Sequence, residues 1–150
     1  MARIRKLDTR DRPVADRPET IALTRDERRR WLLARASGRL SIEQVTAFLR
    51  SARANMKDRL WPLLFDARAC QTAMTQADVR TAVAIVQSVA RRKQRRAHVA
   101  LVADDDRLYR WFLSYETQCA EAGVSVIRVF RQLEDAERWL DIMSSARELG

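Results

Sequence analysis

The stretch His98–Ala103 reads HVALVA. After His98 it holds no polar side chain. A strand without polar alternation is one covered on both faces, which is the signature of a parallel sheet inside an α/β protein. Working outward from it, the same logic recurs. Downstream, Asp104-Asp105-Asp106 is expected to open a helix with Leu108, Phe112, Tyr115 and Cys119 on one side, ended by Gly123. VSVIRVF at Val124–Phe130 follows as a strand. Leu133–Met143 follows as a helix with Ala136, Trp139, Leu140 and Met143 facing inward.

Upstream, Thr75 with Asp78 marks a helix start. Val79, Ala82, Val83, Val86 and Val89 form its buried stripe, and the basic run Arg91–Arg96 closes it. WPLLFD at Trp61–Asp66 is a short strand, with Pro62 near its start, where a missing ladder donor is tolerated. Ser41 with Gln44 opens an earlier helix whose apolar positions are Ile42, Val45, Phe48, Leu49 and Ala52. TIALT at Thr20–Thr24 and WLLARA at Trp31–Ala36, separated by charged Arg25–Arg30, form a hairpin, with Gly38 ending its second strand. The order is ββαβαβαβα: a single α/β domain over residues 20–150, an N-terminal β-hairpin followed by alternating βα units, with a mostly parallel sheet flanked by helices. Residues 1–19, polar with Pro13 and Pro18, are expected to be a flexible basic arm.

The chain has 150 residues, 47% hydrophobic and 33% charged, which suits one soluble globular domain. The net charge of +9 is unevenly spread. Residues 1–30 hold ten basic and six acidic side chains, net +4; residues 31–100 hold thirteen and four, net +9; residues 101–150 hold six and ten, net −4. Such a dipolar molecule suits nucleic acid, a membrane surface, an acidic partner or head-to-tail self-association. Two cysteines without CxxC spacing indicate a reducing compartment, and Met1–Arg10 has no apolar signal core, so a cytoplasmic location is expected. No run of 18 apolar residues is present to span a membrane.

The segments from the opening hairpin to Gly38, WPLLFDAR at Trp61–Arg68, the helix Thr75–Ala90, HVALVADD at His98–Asp105 and VIRVFRQLEDAERWL at Val126–Leu140 together resemble the SpoIIAA-like superfamily. That group takes in STAS domains and the STAS/SEC14-like bacterial proteins. The resemblance covers about residues 20–143 and rests on element order and texture. It implies a bacterial, non-catalytic regulatory or protein–protein interaction module in signalling. In the antagonist branch a phosphorylatable Ser lies in an Asp-Ser-Ser/Gly-Gly-type turn. Here the stretch reads Ala73-Met74-Thr75-Gln76-Ala77, so Thr75 is the hydroxyl near that place and the one candidate for phosphorylation.

Chemistry finds little purchase. His98 is the only histidine, so a Ser-His or Cys-His pair has one base to draw on, at the head of a strand. No phosphate-cradling glycine loop exists among three glycines. No cofactor is expected, and no metal, although Asp66, Asp104 and Asp106 at the carboxyl edge of a parallel sheet are weak candidates for a cation or an acidic site. The same acids also serve as helix caps. The binding candidates are Tyr109, Trp111 and Leu113, where Trp111 fits the buried face with Leu108, Phe112 and Tyr115 while Tyr109 and Leu113 extend apolar surface around the side; Thr72 and Thr75 in the Thr72–Asp78 turn; and Arg91, Arg92, Arg95 and Arg96. The expected partner is a protein whose identity the sequence leaves open, an acidic one or, as a homodimer, a second copy of the chain being the candidates. A small-molecule or lipid carrier of STAS/SEC14 type is the alternative, and an electrostatic nucleic-acid accessory protein the second. Specific base reading is not expected, because no aromatics interleave with the basic run.

Overall fold

The computed structural model describes residues 20–56, 61–90 and 98–149. Five strands and four helices follow in the order β1 (Thr20–Asp26), β2 (Trp31–Leu40), α1 (Ile42–Met56), β3 (Leu63–Thr72), α2 (Gln76–Ala90), β4 (His98–Ala103), α3 (Asp106–Ala122), β5 (Val126–Phe130) and α4 (Leu133–Leu149). This is the expected α/β order. The expected basic arm, residues 1–19, and the run Arg91–Arg96 lie outside the described residues.

The strands form one sheet in the order β1-β2-β3-β4-β5. β1 and β2 are antiparallel, and β2 to β5 are all parallel. Each crossover moves one strand in the same direction. Right-handed crossovers then place α1, α2 and α3 together on one face of the sheet. α1 packs on α2 and α2 on α3, while among the described elements α4 alone packs on the other face, over β3, β4 and β5.

Two cores result. The larger lies under α1–α3 and takes Leu32, Ala34 and Ala36 of β2, Phe65 and Ala67 of β3, Val79, Ala82 and Val83 of α2, and Leu108, Phe112 and Tyr115 of α3. Phe65 sits edge-on between Phe48 of α1 and Phe112 of α3, with ring centroids 5.1 and 6.3 Å away. The smaller core lies under α4 and joins Trp31, Leu64, Ala100 and Val102 to Ala136, Trp139 and Leu140. β4 therefore contributes to both cores, as HVALVA requires.

Two strands run longer than the sequence suggests. Gly38 does not end β2: it sits inside the strand at φ 86°, opposite Cys70. Only glycine enters that region without steric cost. β3 likewise does not stop at Asp66. The pairing advances from Arg35↔Asp66 to Ser37↔Ala69, two residues on β2 against three on β3. That is a β-bulge, and beyond it the ladder resumes to Leu40↔Thr72. β3 thus overhangs β4, whose pairing with it ends at Ala67↔Ala103. At the other end of the molecule, β5 begins at Val126 rather than Val124, since Gly123 (φ 67°) and the turn after it end α3.

Candidate functional site

Among the described residues, the side of the sheet that carries α4 is covered only in part. Along β2, Leu32, Ala34 and Ala36 point into the larger core, so Leu33, Arg35, Ser37 and Arg39 point to the opposite side. Leu33 still reaches the smaller core. Further along, Arg35 and Arg39 are exposed. So are Ala22 and Thr24 on β1, and Arg68, Ala69 and Gln71 on β3. The result is an open half-face of the sheet bearing three arginines.

Asp66 anchors it. Its side chain is 11% exposed, and the bulge turns Arg68 back onto it. The Arg68 guanidinium grips the carboxylate as a fork: Nε donates to Oδ1 and Nη2 to Oδ2, both at 2.9 Å. The Arg68 backbone N–H donates to Oδ1 at 3.1 Å, and Arg35 Nε stands 4.0 Å from Oδ2. Burial alone would raise the Asp66 pKa. The hydrogen bonds and charge of Arg68, helped by Arg35, outweigh it and hold the carboxyl below its ordinary value. The same pairing, against desolvation, raises Arg68. A carboxylate held as the ion is a poor proton donor and a weak base, so the geometry of the pair suits structure rather than acid–base chemistry.

Of the other acids, Asp105 and Asp106 are engaged through their carboxylates, whereas Asp104 is exposed and is bound through its backbone carbonyl. Arg131, just after β5, donates to the Asp104 carbonyl at 2.8 Å and pairs with the Asp106 carboxylate at 2.8 Å. Its guanidinium also lies 3.9 Å from the centre of the Tyr109 ring. Asp105 caps α3 by accepting from the Leu108 N–H. Among the described residues no group of three or more His, Cys, Asp or Glu side chains could hold a metal ion. Cys119 is buried beside Tyr115. Burial pushes its thiol up to about 11, against the opposing effect of the Tyr115 hydrogen bond, so it stays protonated and unreactive at neutral pH.

The binding candidates from the sequence divide. Trp111, expected on a partner surface, is buried (3% exposed), stacked on Tyr115, with its Nε1 donating to the Thr75 carbonyl at 3.0 Å. The indole is needed inside because α3 is wedged between α2 and the sheet. Tyr109 and Leu113 are half-buried. Thr72 is not part of an open turn. It ends β3 buried, donating to the Leu40 carbonyl at 2.8 Å and accepting from the Met74 N–H. Thr75 is exposed and caps α2 reciprocally with Asp78: each backbone N–H donates to the other's side chain. Arg91, Arg92, Arg95 and Arg96 lie outside the described residues. Arg35, Arg39 and Arg68 were not singled out from the sequence. The period-two pattern Leu32-Leu33-Ala34-Arg35-Ala36-Ser37 carried the signal, but reading β2 as ending at Gly38 and β3 at Asp66 removed Arg39 and Arg68 from the strands.

No helix among the described residues is long and apolar enough to cross a membrane. No family model matches the chain, and no curated protein matches it. Among solved structures it is similar to an uncharacterized protein of the DUF3478 family with a SpoIIAA-like fold from Shewanella loihica PV-4. The two share 20% sequence identity, over 81% of this chain and 93% of that one, with a TM-score of 0.49.

Proposed function

We propose that the chain is a non-catalytic interaction module that receives a protein partner on the half of the sheet that α4 leaves open. The observation that carries this reading is the uneven cover of the sheet: three helices on one face and one on the other, with exposed Arg35, Arg39, Arg68 and Gln71 beyond the reach of the fourth. Regular sheet faces are usually buried by a second layer. One left polar and open, with its floor held rigid by the ladder, suits docking. The polar groups nearest to it are spent on structure, as Asp66 with Arg68 and Arg131 with Asp106 show.

A photo-reactive amino acid placed at Gln71, on the open face, is compared in lysate with one at Thr117, exposed on α3. Discrete protein adducts from Gln71 and not from Thr117 are expected. Equal labelling from both positions, or nuclease-sensitive adducts alone, would turn the reading towards non-specific polyanion binding.

A further inference from the structure

The open half-face has a definite chemistry. Among the described residues its exposed cations are arginines: Arg35, with a side chain 82% exposed, Arg39, and the outer part of Arg68. The carboxylate on it, Asp66, is sunk in the floor and already taken by Arg68. Exposed Asp104 and Glu134 also act electrostatically on Arg68, on the side towards α4, so the positive surplus of the face rests on Arg35 and Arg39. Around the arginines stand small or neutral side chains: Ala22, Thr24, Ser37, Ala69 and Gln71. The described part of this patch offers no aromatic ring for a base to stack on, which single-stranded nucleic acid would use. The fork that Arg68 makes with Asp66 is the geometry in which guanidinium groups take carboxylates.

Spacing narrows the partner further. Arg35 and Arg39 lie four residues apart on one face of one strand, roughly 13 Å at 3.3 Å per residue. An extended polypeptide laid along β2 repeats at the same rise, and its side chains also alternate. Acidic residues two or four positions apart would then face the arginines together, while a block of consecutive acids would turn half of its charges away.

We infer that this face binds an acidic segment of another protein in extended conformation, with Glu or Asp at alternate positions. This rests on the interaction-module reading and adds the chemistry of the partner. Charge complementarity selects the occupant, and the flat strand floor selects its shape. Arg35 and Arg39 take its carboxylates, and the Arg68–Asp66 ion pair beside them is already satisfied.

The test uses the full chain and labelled nine-residue peptides in fluorescence anisotropy. One peptide alternates Glu with Thr; the other has the same composition with its Glu residues consecutive. An oligothymidylate of equal charge is the third probe. The alternating peptide is expected to bind more tightly than the block peptide and the oligonucleotide. Its affinity is expected to fall at least tenfold in the Arg35→Ala/Arg39→Ala double variant and to hold in Arg110→Ala, which removes an exposed arginine from α3. Circular dichroism checks that the variants are folded. The inference is overturned if the alternating peptide does not bind, if the double variant binds it as well as the parent, or if the oligonucleotide binds better with the same dependence on Arg35 and Arg39. Labelling of a protein partner from Gln71 together with any of these results would leave the interaction module standing and remove its acidic, extended partner.

Discussion

At the scale of single residues, the Asp66–Arg68 pair ties local sequence to the surface. The two are separated by one residue, and in a regular strand they would lie side by side on one face. The bulge lets Arg68 fold back, so one carboxylate receives three hydrogen bonds. Hydrogen bonds to a charged group contribute about 1.5–3 kcal/mol net, and Asp66→Ala is expected to lose stability in that range at pH 7. The pH dependence has a definite sign. The folded pKa of Asp66 lies below its ordinary 3.8. Its contribution is therefore complete above about pH 4 and is lost as pH falls through the depressed folded value. Urea unfolding of parent and variant at pH 7 and near pH 2.5 checks this: the gap between them should narrow at the lower pH, and an unchanged gap would mean that the pair is not ionic. Trp111 teaches the complementary lesson. In the sequence, Trp111 fits the buried stripe with Leu108, Phe112 and Tyr115, and its neighbours Tyr109 and Leu113 widen the apolar arc, so that the three together read as a surface for a partner. In the fold α3 meets α2 as well as the sheet, so a wider arc is buried. A helix wrapped on two sides looks from sequence like one with an unpartnered face.

At the scale of elements, the caps were legible and the strand ends were not. Thr75-x-x-Asp78, Asp105 before α3 and Gly123 after it are local signals: each needs only residues within one turn, and each acts as its chemistry suggests. Strand ends depend on the neighbouring strand. β2 continues through Gly38 because β3 is there to pair with it, and β3 continues past Asp66 because the bulge restores the register. Neither fact is contained in a window of local sequence. The cap of α2 gives a measurable expectation. Thr75→Ala removes the hydroxyl that accepts the Asp78 N–H, a loss of about 1 kcal/mol, and Thr75→Ser retains most of it. The turn itself should persist in both, because Trp111 holds the Thr75 carbonyl rather than its side chain. Chemical denaturation of the three proteins decides it. A Thr75→Ala variant as stable as the parent would show that Asp78 alone sustains the helix start.

At the scale of the whole molecule, the uneven layering sets where the fold is firm. β4 lies between two other strands and feeds both cores, and Ala100, Leu101, Val102 and Ala103 are all buried. β1 lies at the edge: Ile21 and Leu23 only lean on the margin of the larger core, and Ala22 and Thr24 are exposed on the open side. Opening β1 exposes little apolar surface, whereas freeing β4 requires both layers to part. Local opening free energies rise from near zero at such margins to the global value in the core. Native-state hydrogen exchange should therefore find the amides of β4 and the buried half of β3 exchanging only through global unfolding, which for a domain of this kind costs about 5–15 kcal/mol. The ladder amides of β1 should exchange through a separate, cheaper opening with a smaller denaturant dependence. An occupant on the open face would cover β2 and steady the strand beside it. Adding the alternating acidic peptide should therefore slow exchange in β1 and β2 and leave β4 unchanged. Equal slowing across all five strands would mean instead that the peptide raises global stability without choosing that face.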